Sequence, residues 1–257
     1  MGDQKPGILE RFGRSDRLKR WQRAMDAPRG VSGSTLAEMN VEMREMRDRL
    51  DTLSSRARSE LLSRVLPSDG IEQSDQCDWV MRPAPWRVEM RPRGLVGVPS
   101  PTHLPGDVTL FHDAANSDLS LRQDRAPAWV DGAIFGLVLE VYRFDGSFVS
   151  LVHDLPGEAV EGLTLNHFIS VDLRIEREQP VELYARLNVQ HGPNVEQLVR
   201  QIEIRDGRGQ AEFDLAYSKI NEQRIEKAWL DLIIESPEMT RIALWDMVVL
   251  RAPRADV

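Results

Sequence analysis

The sequence predicts a mainly β protein: an antiparallel jelly-roll β-sandwich preceded by an N-terminal α-helical arm. Three observations lead there. Downstream of residue 107, apolar and polar residues alternate at period two in about ten segments, as strands with one buried face do. No long helical pattern interrupts them, and a parallel sheet cannot be built without crossover helices. Before residue 67 the apolar spacing is three and four, which is helical. The chain is thus read as a helical arm at 1–66, a proline-rich connector at 67–107 that packs on the next domain, and a β-sandwich at 108–257.

The arm opens with a cluster of basic residues (Lys5, Arg11, Arg14, Arg17, Lys19, Arg20, Arg23 and Arg29) interleaved with Ile8, Leu9, Phe12, Leu18 and Trp21. This is a weakly amphipathic basic helix, which suits a docked surface helix or a contact with anionic lipid or RNA. The next segment has a stronger pattern. Ser34 or Thr35 reads as the N-cap, with Glu38 completing a capping box. Leu36, Met39, Met43, Met46, Leu50, Leu53 and Ala57 then follow at alternating spacings of three and four. That is the seam of a coiled coil, able to mediate self-association or to pack along the chain's own domain. Pro67 stops the helix.

Seven of the fifteen prolines fall between Pro67 and Pro105. Proline fixes φ and removes a donor, so no long helix or central strand is expected there. Trp79, Val80, Met81, Trp86, Val88 and Met90 are too apolar for a plain linker. The connector is therefore expected to wrap the following domain, with 86–90 as an edge strand.

Strands follow at 108–112, 119–122, 134–144, 147–153, 168–178, 181–189, 201–205, 210–215, 228–235 and 241–250. Asp145-Gly146 between two apolar runs is a hairpin signal. The spacing favours two packed sheets in a jelly roll. The closing pair, Trp229–Glu235 and Ile242–Leu250, resembles the last strands of galactose-binding-like and carbohydrate-binding jelly rolls. That resemblance is architectural and implies a fold more than a ligand. Three stretches (Tyr142–Phe148, Tyr184–Asn194 and Phe213–Tyr217) resemble an uncharacterised alphaproteobacterial family of unknown function over roughly residues 107–252. The resemblance implies a bacterial source and brings no catalytic residues with it.

Composition excludes several classes. The chain has 257 residues, 41 acidic against 33 basic, for a formal charge of -8. Generic nucleic-acid binding needs a basic surface. Residues 1–66 carry a net +4 and the remainder -12, which marks two parts with different surfaces. No apolar run is long enough for a transmembrane helix and no signal peptide is recognisable, so a soluble, cytoplasmic protein is expected. The single cysteine, Cys77, permits neither an internal disulfide nor a cysteine-cage zinc site.

Catalytic signatures are missing. There is no Gly-x-Ser-x-Gly, phosphate-binding loop or dinucleotide fingerprint. His103, His112, His153, His167 and His191 raise a metal-dependent β-barrel enzyme as an alternative, but no His-x-His spacing supports it, and no metal or cofactor is assigned. Asp231 and Asp246 fall on neighbouring strands as a carboxylate pair, without the spacing that would make them specific. The most distinctive stretch is 186–197. Arg186, Asn188, Gln190, His191 and Asn194 gather amides, an imidazole and a guanidinium around a Gly-Pro turn, the groups that hydrogen-bond sugar hydroxyls. Loop amides that satisfy their own backbone read equally well there. The preferred function is a non-enzymatic binding module for a glycan or glycoconjugate. The alternative is an assembly protein that uses the Leu36–Leu53 seam as a homo-oligomer contact or to hold a protein partner.

Overall fold

The computed structural model describes residue 19, residues 21–65 and residues 77–254. Most of the basic N-terminal helix expected from the sequence, and the stop at Pro67, lie outside the described residues. Contact clustering divides the chain into two compact units, Met1–Arg58 and Ser59–Val257.

In the first unit a helical segment at 21–26 and a 3₁₀ turn at Pro28–Gly30 precede a long helix, Gly33–Val65. The cap lies earlier than the sequence suggested. Ser32, rather than Ser34 or Thr35, accepts from the Thr35 backbone N–H at 3.2 Å, and its hydroxyl meets the Thr35 hydroxyl at 2.8 Å. Thr35 thereby takes the third-position role given to Glu38. Along the seam Met39 is buried and Leu36 and Met46 are half-buried, whereas Met43, Leu50 and Leu53 are exposed.

The second unit is the β-sandwich. Its strands are β1 (Trp79–Met81), β2 (Gly94–Val96), β3 (Thr102–Leu104), β4 (Val108–His112), β5 (Ser117–Arg125), β6 (Phe135–Phe144) and β7 (Phe148–Asp154). They continue as β8 (His167–Arg177), β9 (Glu182–His191), β10 (Asn194–Gln201), β11 (Ile204–Arg205), β12 (Arg208–Asp214), β13 (Ile225–Glu235) and β14 (Thr240–Pro253). One sheet runs β11-β12-β8-β14-β6-β5-β2 with β1 added on β14, and the other runs β10-β9-β13-β7-β4-β3. Every pairing is antiparallel. From β6 to β9, and again from β12 to β14, the chain changes sheet at each step. This is the jelly-roll path, and the core between the layers holds fully buried Leu110, Leu137, Val171, Leu187, Leu230, Phe213 and Val249.

That path corrects the hairpin expected at Asp145-Gly146. β6 and β7 lie in different sheets, so the dipeptide turns a corner between layers. Gly146 is required by closeness and not by positive φ, because a Cβ there would sit 2.4 Å from the Asp113 carboxylate and 2.6 Å from the Ala114 nitrogen. Asp113 accepts from the Ser147 and Phe148 backbone N–H groups, and Asp145 accepts from Asn116, which pins the corner from both sides.

Residues 79–107 supply β1 and β2 to the larger sheet and β3 to the edge of the smaller one. The edge strand expected at 86–90 is instead a helical turn, Ala84–Arg87. Its Trp86 is fully buried and donates from Nε1 to the Leu244 carbonyl at 2.9 Å. The side chain of Gln123 replaces sheet pairing here. It donates to the Pro85 and Val88 carbonyls and accepts from the Met90 N–H, each at 2.7 Å. Arg82 reaches Asp246 with two nearly dry hydrogen bonds of 2.7 and 3.0 Å. Asp78 and Arg251 close the other end, where Arg251 also donates to the Ala159 and Glu161 carbonyls.

His153 sits on the core side of β7, 4% exposed, and neither ring nitrogen has a hydrogen-bond partner. Burial holds its pKa below the ordinary 6.5, opposed by the Asp107 backbone and the Asp107 and Asp154 carboxylates. The unfolded chain therefore takes up a proton as pH drops through 6.5 while the folded chain resists, so stability present above that pH is lost below it. His153→Leu is expected to gain about 1 kcal/mol at pH 7 and to flatten the fall between pH 7 and 5. Urea unfolding at both pH values measures this, and parallel pH slopes for the two proteins would contradict it.

Candidate functional site

Strand alternation decides which side chains leave the core. On β9, Leu183, Ala185, Leu187, Val189 and His191 point inward and are buried, so Tyr184, Arg186, Asn188 and Gln190 share the outer face of the six-stranded sheet. Register places Trp229 opposite Asn188 and Asp231 opposite Arg186 on β13, with Gln197 opposite Asn188 on β10. The sequence therefore marked the right strand for an outward row but not its whole membership.

These side chains form one network. Arg186 donates from Nε to Asp231 Oδ2 at 2.7 Å, and its Nη2 contacts the same oxygen. The amide nitrogen of Asn188 faces Asp231 Oδ2 at 3.3 Å and the Arg186 carbonyl at 3.2 Å, while its oxygen accepts from Gln197 at 2.9 Å. Arg186 is 37% exposed at its side chain, Asn188 is fully buried, and Asp231 is 2% exposed. Gln190 donates to Glu226 at 2.8 Å. Lys227 lies over the Trp229 ring, 5.0 Å from its centroid, a cation–π contact.

The other two sequence candidates fall elsewhere. His191 turns to the core side, and its Nδ1 accepts from the Asn221 N–H at 3.4 Å. Asn194 begins β10 past the two-residue Gly192-Pro193 turn and is exposed. The stretch read as a loop is thus a hairpin, with Gly192 at φ 64°. Sequence reasoning passed over Trp229, Asp231, Gln197 and Tyr184 as members of this face. Strand register, which brings them beside Arg186, has no local sequence signal.

The opposite outer face differs in chemistry. There Arg122 pairs with Asp124 and Glu140, and Trp245 bonds Glu176 at 2.8 Å. Asp231 and Asp246 lie in different sheets, each tied to its own arginine. They are not the neighbouring carboxylates the sequence suggested. The histidines also disperse. His103 meets the Thr109 hydroxyl, His112 the Val98 carbonyl, and His167 the Asp78 carboxylate. Among the described residues no group of three or more His, Cys, Asp or Glu side chains is placed to hold a metal ion. Burial pushes the Cys77 thiol above its ordinary pKa, which keeps it protonated. No described helix is long and apolar enough to cross a membrane.

The sequence pattern of DUF6478, described as a family of unknown function, matches residues 1–257. The chain belongs to DUF6478. No curated protein matches the DUF6478 chain significantly. Among solved structures, the enzymatically active domain of bacteriophage CBA120 tailspike protein 4 is 8% identical at a TM-score of 0.38, over 57% of this chain. The match spans only 19% of the length of that tailspike chain. The family 11 carbohydrate-binding module from Clostridium thermocellum, solved with a β-1,3-1,4-mixed-linked tetrasaccharide, is 13% identical with a TM-score of 0.39, covering 58% of this chain and 91% of its own. The CBM22-1 xylan-binding domain of Paenibacillus barcinonensis Xyn10C is 8% identical with a TM-score of 0.36, covering 57% and 87%. Likeness at these values carries nothing about the ligand or activity of the DUF6478 chain, whose architecture rests on the strand order above.

Proposed function

We propose that the protein is a non-enzymatic binding module whose six-stranded sheet offers its outer face to a glycan. The observation that carries this reading is the cross-strand row in which Gln197, Asn188, Arg186 and Asp231 form a hydrogen-bonded network beside half-buried Trp229 and Tyr184. Sugars present hydroxyls around a ring with apolar C–H faces. Fixed amides and charges orient the hydroxyls while aromatic rings cover the C–H face. Arg186 and Asp231 hold each other in place, so the row is organised before a ligand arrives, which lowers the entropy lost on binding. A glycan array read with the wild type and Trp229→Ala tests this. Binding to at least one saccharide is expected, with the variant reduced at least tenfold, as loss of a stacking aromatic requires. An array at background for the wild type would remove the reading.

A second reading concerns the first unit. Met43, Leu50 and Leu53 are 47%, 58% and 63% exposed along one seam, and apolar seams of this spacing associate with other helices. Self-association through that seam would leave the sheet face free. Light scattering at tens of micromolar gives a dimer or larger on this reading, and Leu50→Glu with Leu53→Glu returns the monomer. A wild-type monomer would discard it.

A further inference from the structure

Two polar atoms on the outer face of the six-stranded sheet are buried without any hydrogen-bond partner in the protein: Asp231 Oδ1 and Ser150 Oγ. Asp231 is 2% and Ser150 3% exposed. Register puts Asp231 opposite Val152 and Ser150 opposite Ile233, so the two are diagonal neighbours on β13 and β7, about 7–8 Å apart along the sheet. A buried polar group left unpaired destabilises the fold, and two side by side on a solvent-side face mark a place where something else completes the bonding. Asp231 Oδ2 already bonds Arg186 and faces Asn188; the other oxygen faces the gap.

We infer that Asp231 Oδ1 and Ser150 Oγ form the specificity subsite of the glycan-binding face, and that it takes the hydroxyl groups of an uncharged sugar residue. The inference rests on the glycan reading above and adds the substrate class. An ionised carboxylate oxygen can only accept, so the ligand must bring a donor. A serine hydroxyl both donates and accepts, which suits a second hydroxyl on the same ring. Charge narrows the class further. On β9, β13 and β7 the outer face carries Glu182, Asp231, Glu235 and Asp154 against Arg186 and Lys227. Arg186 is committed to Asp231 and Lys227 lies over Trp229. A uronate or sulfated sugar would meet net repulsion with no cation to spare. An ammonium sugar would give up its hydration for a carboxylate that Arg186 has already neutralised.

Affinity electrophoresis through gels containing a neutral β-glucan, xylan or mannan, or polygalacturonate, or chitosan separates the possibilities. At least one neutral polymer should retard the wild type, and the two charged polymers should not at 150 mM salt. Ser150→Ala should weaken that binding about tenfold, the loss of one buried hydrogen bond, without lowering the thermal midpoint, since its hydroxyl bonds nothing within the protein. Asp231→Asn should weaken it as well. If Ser150→Ala binds as the wild type does while Trp229→Ala does not, the subsite is wrong and the glycan face stands. Should only polygalacturonate or chitosan retard the protein, the face again stands and the uncharged class is wrong. If no polymer retards the wild type, the glycan reading itself falls and the subsite with it. Where Asp231→Asn does not fold, Ser150→Ala decides alone.

Discussion

Asp246→Ala is expected to destabilise the sandwich by about 3–5 kcal/mol, because it strands the Arg82 guanidinium in a dry site. Side-chain exposure at this pair is 3% for Arg82 and 9% for Asp246, and two hydrogen bonds join them. Asp246 also accepts from the Met247 N–H at 2.9 Å, across the bulge where β14 shifts register against β8. The loss therefore combines an unpaired buried cation with a loosened bulge. Arg82 has no easy escape, since Gly132 crowds its guanidinium so closely that a Cβ there would lie 2.7 Å away. The companion experiment replaces both partners. Arg82→Met with Asp246→Leu should recover most of the stability, since well-packed apolar pairs often equal buried ion pairs. Urea denaturation of the two variants checks the sign, and equal losses in both would point to the bulge rather than the charge.

The second large effect is expected at Trp86. Trp86→Ala should cost about 3–5 kcal/mol, the range for emptying an aromatic site in a core. The indole is fully buried, belongs to the main core, and donates to the Leu244 carbonyl on β14. Its own carbonyl accepts from Ile134 N–H, ahead of β6. Removing the ring thus loosens the segment from Trp79 to Asp107 more than the sheets beneath it. Hydrogen exchange should show protection lost first at Met90 and at Gln123, which bond each other through the Gln123 side chain. Uniform loss across β9 and β13 instead would mean that the segment and the sandwich unfold as one unit.

The sequence made the long strands legible because each carries large apolar residues on one face. β4 was read to the residue, and β8, β13 and β14 within a few positions. β10 was missed for a physical reason. Its Val195 and Val199 lie on the exposed face, so the inside-outside contrast that reveals a strand is absent. β1, β2 and β3 are three residues each, too short for any period to show among prolines. The binding face was half visible. Arg186, Asn188 and Gln190 stood out because polar residues on a strand that buries five others are conspicuous. Asp231, Trp229 and Ser150 did not, since each is an ordinary outward residue until register sets it beside the others. The corner at Asp145-Gly146 was misread because local chemistry specifies a tight turn but not which sheet the next strand joins.

The placement of β14 also bears on how the molecule is made. This strand hydrogen-bonds β6, β8 and β1, and all three are translated before it. On a ribosome, the larger layer must wait with its central slot vacant until residue 253 has cleared the exit tunnel. For that interval the flanks of β6 and β8 are open templates for any passing strand. Slow, non-local closure of this kind makes nascent-chain holding factors and synthesis speed, more than final stability, the determinants of soluble yield.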